Sequence, residues 1–395
     1  MNVPRAISCV ALVVLAACSD AAPPARADES RVELVQSVPA GAQLGLPALA
    51  ATRDVWLDMV KGAKASIDLA QFYASSEPGG MLEAVLDELA RAAARKVKIR
   101  FLVSAAMADT YPADIERVRK LPAEVRILDL KPVTGGILHA KYWIVDGREA
   151  FLGSPNFDWR ALEHIHELGV RFDVPACVAG LGRIYEADWR RAGGEPVEAA
   201  SEAPSARSAD CELVASPPKL GVPGVGSSID ALVALIAGAK TEVQLQALSY
   251  SPGKKGKEWT VLADAMRAAG ARGVAVSLVV SHWNAGHDAG LAALQALDRL
   301  PGVSVHVVTV PAADKAIPFA RVVHAKYCVV DRTRLWIGTS NFSEDYFAQS
   351  RNVELVIARA PLAAAAAAAH DALAKGPHAV RAGAATVTER GKDRR

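Results

Sequence analysis

The stretch His139-Ala140-Lys141-Tyr142-Trp143-Ile144-Val145-Asp146 returns 185 residues later as His324-Ala325-Lys326-Tyr327-Cys328-Val329-Val330-Asp331. Both copies have the form His-x-Lys-x4-Asp, and both run into apolar and β-branched residues with the composition of a buried strand. Extended backbone turns residues i and i+2 to one side, so His139 and Lys141 are expected to face one cavity, as are His324 and Lys326. An ammonium buried without a partner is costly, so a lysine placed there calls for an anion, and a bound phosphate would supply it. An imidazole titrates at about pH 6.5, so one histidine of such a pair can be a free base while its twin carries a proton. The repeat therefore points to phosphodiester chemistry.

The company of each copy is duplicated as well. Phe151-Leu152-Gly153-Ser154-Pro155-Asn156-Phe157 answers Trp336-Ile337-Gly338-Thr339-Ser340-Asn341-Phe342, with Asn156 and Asn341 each 17 residues after their histidine. A carboxamide can donate to a phosphate oxygen without carrying charge. Glu167 and Glu354, on later strands, are candidates to hold a histidine Nδ1–H and fix its tautomer. Their spacings differ, 28 residues from His139 and 30 from His324, which predicts a longer loop in the second half. Asp146 and Asp331 end their strands and read as orienting or structural residues rather than proton carriers.

The repeat extends beyond these motifs. Val55 to Tyr73 parallels Leu232 to Tyr250, each an amphipathic helix, a Gly-Ala-Lys turn and a strand. Helices at 80–95 and 258–271 and strands at 97–104 and 274–281 follow. Strand and helix alternation predicts an α/β protein of two α/β/α sandwich half-domains. Packing like with like would relate the halves by a pseudo-two-fold axis and bring the two motifs face to face. The second half outgrows the first, with the extra residues placed around His282 to Ala293. Tyr73 and Tyr250, at strand ends, are expected to line the substrate entrance or the pocket wall, and Trp283 in the extra loop belongs to a gate or to a solvated loop. His164 and His166 read as surface or strand-edge residues, and Ala363 to Ala369 as an Ala-rich helix packed on the outside.

With the residues laid out, the chain resembles the phospholipase D superfamily, whose two HKD motifs match the two copies, over about Pro47 to Ile357. FLGSPNFDWRALEHIHELGV (151–170), QALSYSP (246–252) and ARVVHAKYCVVD (320–331) resemble the branch of lysosomal single-strand 5′-exonucleases and the poxviral nicking-joining nuclease. The resemblance implies the phospholipase D type of fold and a metal-independent phosphodiesterase with a phosphohistidine intermediate. His139 would be the nucleophile and His324 the acid, with Lys141, Lys326, Asn156 and Asn341 on the phosphate oxygens. Single-stranded nucleic acid is the leading expected substrate. A phospholipid, in a phospholipase D or phosphatidyl transferase such as a cardiolipin synthase, is the alternative. A catalytically inactive envelope binding module is a third reading, against which every motif position is filled.

Composition sets the bounds. With 395 residues, 51% hydrophobic and 22% charged, the chain can bury a large core. A net charge of +2 excludes wholesale electrostatic capture of duplex nucleic acid. Arg5, the apolar run Ile7 to Ala17 and Leu15-Ala16-Ala17-Cys18 resemble a bacterial lipoprotein signal, with Cys18 lipidated, and an ordinary cleaved signal peptide is the alternative. The expected address is the cell envelope, the periplasmic face of the outer membrane, with no obligate protein partner and no cofactor. The expected domains are a signal (1–17), a tether (18–40), a first half (41–200), a linker (201–226), a second half (227–375) and a basic tail (376–395). Cys177 and Cys211 flank the connector and would be able to pair in an oxidising compartment, whereas Cys328 reads as a buried, inert thiol.

Overall fold

The computed structural model describes residues 1, 30–197, 202–254 and 256–387. The lipobox with Cys18 and the last residues of the basic tail lie outside the described residues. Residues Arg31–Arg395 form one compact unit.

Two mixed sheets repeat the same plan. The first runs Ala50–Ala51, Val32–Ser37, Glu167–Phe172, Glu149–Gly153, Tyr142–Val145, Ser66–Gln71, Lys98–Ser104, Ala123–Leu128. The second runs Gly226–Ser227, Cys211–Ser216, Asn352–Ile357, Arg334–Gly338, Tyr327–Val330, Glu242–Ala247, Ala275–Ser281, Val303–Val308, Ala379–Arg381. In each, three parallel strands carry the crossover helices and the motif strand is antiparallel to its neighbours.

Helices Thr52–Gly62 and Met81–Ala94 bury Val55, Trp56, Met59 and Leu82, Val85, Leu86, Leu89 at three- and four-residue spacing, against Ile67, Leu69 and Trp143 of the first sheet. The second half repeats this with Leu232, Leu235, Ile236 and Leu262, Met266. The opposite faces of both sheets share one core with helices Pro175–Ala192 and Ala360–Ala374. The Ala-rich helix is thus not an outer layer. Small side chains let it sit deep, with Ala363, Ala366 and Ala367 fully buried.

The structure corrects the expected boundaries. Val32–Ser37 lies within the expected tether but pairs with Glu167–Phe172, and Cys211–Ser216 lies within the expected linker but pairs with Asn352–Ile357. Ala379–Arg381, at the start of the expected tail, pairs with Val303–Val308. Polar flanking residues masked these short strands. The extra length of the second half is only partly where it was expected: the offset rises from 177 at Lys98 and Ala275 to 180 at Ala123 and Val303, so three residues enter the segment that holds His282 to Ala293. The offset between halves is 180 residues at Ala123 and Val303 but 185 at His139 and His324, so five residues enter the loop before the second motif.

Candidate active site

Neither His-x-Lys lies inside a strand as expected. Leu138 and Val323 form isolated bridges, and the strands begin at Tyr142 and Tyr327. The backbone before each strand is instead zipped to the opposite half. His139 N donates to Arg351 O at 3.0 Å and Arg351 N to Ile137 O at 2.9 Å. His324 N donates to His166 O at 2.8 Å and His166 N to Val322 O at 3.0 Å. His166 is therefore buried between the halves, not a surface residue.

The side chains cross over in the same way. His324 Nδ1 donates to both carboxylate oxygens of Glu167, at 2.8 and 2.9 Å. His139 Nδ1 meets Asn352 Oδ1 at 2.9 Å. Asn352 Nδ2 donates to Tyr346 O and Thr339 Oγ1 donates to Asn352 Oδ1, so that oxygen is the acceptor and His139 Nδ1 carries the proton. Both rings thus keep an Nε2 lone pair free. Glu354 does not hold a histidine. It accepts from Ser340 N and Oγ, at 3.2 and 2.7 Å. Asn352 is the positional twin of Glu167, each being 28 residues after its own half's histidine, and the longer second-half loop does not exist at this point.

Lys141 Nζ donates to the carbonyl of His139 and Lys326 Nζ to that of His324. Both ammonium groups are buried. Burial and the Lys326 charge push Lys141 well down, and burial brings Lys326 down to about 7 against the pull of Glu167. Burial pushes Glu167 and Glu354 up to about 7, and depresses His139 and His324, helped by the lysines. Burial thus disfavours charge on all six groups, and an anion between the lysines would restore theirs. Asn156 and Asn341 are buried, and the Oδ1 atoms of both lack a hydrogen-bond partner among the described residues. An amide oxygen only accepts, so towards a phosphate oxygen each carboxamide would have to present its Nδ2–H₂ end.

Asp146 and Asp331 sit apart from this chemistry. Asp146 accepts from the backbone N–H of Lys64, Ala65 and Ser66, and Asp331 from those of Lys240, Thr241 and Glu242. Each ties the motif strand to its Gly-Ala-Lys turn, the structural role expected. Tyr73 is buried and spends its hydroxyl on Asp158 at 2.7 Å. Tyr250 and Trp283 line a cavity of about 290 Å³ with Ser249, Asn284 and His287. Cys177 and Cys211 are buried thiols with Sγ atoms 3.4 Å apart. Cys328 is buried, which pushes its thiol up.

Three neighbours of His139 were not foreseen. Phe72 and Tyr346 flank its ring with centroids at 5.0 and 4.7 Å, and Lys141 Nζ lies 5.1 Å from the Phe72 ring centre. Asn352 is the third. Counting a constant offset of 185 from Glu167 would have found it, whereas Phe72 and Tyr346 carry no signal beyond being aromatic.

The model of the family described as "Cardiolipin synthase, PLD-like domain" matches residues 56–189 and 232–373. The chain is 32% identical over 373 residues to the 5′-3′ exonuclease PLD3 of Rattus norvegicus, spanning 84% of this chain and 75% of the relative. It is 32% identical over 350 residues to phospholipase D Z of Dictyostelium discoideum, spanning 80% and 82%. Among solved structures, the phosphatidylserine synthase of Haemophilus influenzae superposes with a TM-score of 0.59 at 12% identity, over 83% of this chain and 85% of that one.

Proposed function

The chain belongs to the phospholipase D superfamily, and on that premise we propose that this phosphodiesterase hydrolyses single-stranded nucleic acid through a phosphohistidine intermediate. The observation that carries the chemistry is the crossed pairing of His139 with Asn352 and of His324 with Glu167 around two buried lysines. A relative named as a 5′-3′ exonuclease, similar over 84% of this chain, supports the choice of substrate.

The unequal partners divide the labour. Asn352 is neutral, so it orients His139 without favouring its charged form, and His139 Nε2 is the nucleophile. Glu167 is a carboxylate beside His324 Nδ1, and together with the incoming phosphate it stabilises the imidazolium, so His324 is the acid. His139 Nε2 forms a bond to phosphorus as the P–O bond to the leaving group breaks, and His324 Nε2–H protonates the departing oxygen. The now neutral His324 takes a proton from water, the hydroxide adds to phosphorus, and the N–P bond breaks. Lys141 and Lys326, recharged by the anion, and the Asn156 and Asn341 amides hold the non-bridging oxygens. The envelope address with a lipid on Cys18 belongs to the same reading and is tested by Cys18→Ala, which should abolish lipid labelling and release the protein from membranes.

A phospholipid substrate is the second reading, favoured by the phospholipase D named among the relatives. A protein lacking residues 1–18, which retains the compact unit from Arg31, separates the two. With EDTA present, it should release nucleotides from end-labelled single-stranded DNA and lose this with His139→Ala. Headgroup release from phosphatidylcholine or cardiolipin vesicles, with DNA untouched, would overturn the nuclease reading.

A further inference from the structure

Five of the residues that lengthen the second half enter the loop between Val308 and His324, and that loop presents Phe319. The residue is 46% exposed and its backbone is left-handed, with φ of +59°. Two residues on, Arg321 is left-handed too, at +57°. For residues with a Cβ such backbone is unfavourable and persists where the surroundings impose it. Here both sides are clamped. Arg160 Nη1 donates to Pro318 O at 3.2 Å, Arg321 N to His164 O at 2.9 Å, and the Arg321 guanidinium to Pro311 O and Ala40 O at 2.6 and 2.8 Å. The fold spends strain to hold an apolar ring in water.

What lies beneath that ring leads to the reacting phosphate. Phe319 covers the Arg160 guanidinium at 5.9 Å, and Arg160 is buried against Asp158 and donates to the Tyr111 hydroxyl at 3.2 Å. Tyr111 stacks on Tyr73 with centroids at 5.0 Å and planes 22° apart, Tyr73 meets Phe72 at 5.4 Å, and Phe72 meets His139 at 5.0 Å. Phe319 is exposed, and Tyr111 and Phe72 are half-buried. In the first-half position the corresponding loop is shorter, and in the second half Ser343 and Asp345 replace Asp158 and Arg160, so this array exists on one flank only.

We propose that Phe319 is a stacking platform for a nucleobase of single-stranded nucleic acid, upstream or downstream of the phosphate held by His139, with Tyr111 and Phe72 along the path. This rests on the nuclease reading. Aromatic faces bind single strands without sequence preference, which suits a chain whose net charge of +2 leaves little long-range electrostatic capture. A bilayer would need a contiguous apolar surface. Among the described residues, the other exposed large apolar side chains, Met1, Met81, Val197, Val261, Val380 and Val387, are scattered along the chain.

The test compares the full chain with Phe319→Ala and Phe319→Leu on a ten-nucleotide DNA and on bis(p-nitrophenyl) phosphate. The proposal expects KM for the decamer to rise about 5- to 150-fold in Phe319→Ala, the worth of one base stack, with the small diester unchanged. If Phe319→Ala loses both substrates through misfolding, Phe319→Leu keeps the bulk and should lose only decamer affinity. Unchanged decamer kinetics in the leucine variant, or in a folded alanine variant, would overturn the platform and leave the nuclease reading standing. A wild-type protein that cleaves the small diester but no DNA would overturn both, and weaker vesicle binding by Phe319→Ala would then assign the ring to a membrane.

Discussion

His139 and His324 are equivalent in sequence, and one atom pair makes them different: Asn352 Oδ1 faces the first and the Glu167 carboxylate the second. A carboxylate favours the protonated ring and a neutral amide does not, and the proposed division into nucleophile and acid rests on that asymmetry. Glu167→Gln should lower kcat about 10²- to 10⁴-fold, the usual worth of general acid catalysis, with little change in KM. Removing the carboxylate lowers the pKa of His324, so the alkaline limb of the pH profile should move to lower pH, as steady-state rates from pH 4 to 9 will show. An unshifted limb would mean that Glu167 only packs against the ring.

At the scale of elements, the aspartate that ends each motif is a fastener. Asp331 accepts from the backbone of Lys240, Thr241 and Glu242, and it sits at φ of +49°, where the chain reverses. These bonds hold its carboxyl down to about 2 despite partial burial. Its contribution to stability is therefore complete above the unfolded carboxylate pKa of about 4 and is lost as pH falls toward 2. Asp331→Ala should cost about 1–2 kcal/mol in urea titrations at pH 7, and the difference from wild type should shrink below pH 4. Specific activity of the folded fraction should persist, which a proton-carrying aspartate would not allow. The strand and helix order was legible because period-2 and period-3.6 patterns are local. The strands Val32–Ser37 and Cys211–Ser216 were not, since their flanks have the composition of linkers and only pairing with distant strands makes them strands.

At the scale of the molecule, the halves are locked where the chemistry occurs. Arg351, fully buried, pairs with Asp188 at 2.8 Å and donates to Ser216 O and Leu220 O, while its own carbonyl holds His139 N. Arg351→Met leaves the buried Asp188 carboxylate with Arg191 alone, at 3.0 Å, and should cost about 3 kcal/mol, the low end for a broken buried pair, read as a fall in the denaturant midpoint. Asp188→Asn on top of it should recover part of that loss, because a buried charge with only the Arg191 contact left is gone; no recovery would refute the pairing as the source. The sequence by itself determined the family, the two-half α/β plan and the identity of His139, Lys141, His324, Lys326, Asn156 and Asn341, because a repeated spacing is a one-dimensional record of equivalent positions. It also gave Asp331 and Asp146 their structural role. Only the tertiary structure decided that each histidine is held by the opposite half, that Asn352 rather than Glu354 is the partner of His139, and that Phe72 and Tyr346 enclose it. Those contacts join residues as much as 213 positions apart, and nothing local in the chain encodes which side chain a packed interface will bring within 3 Å of an imidazole.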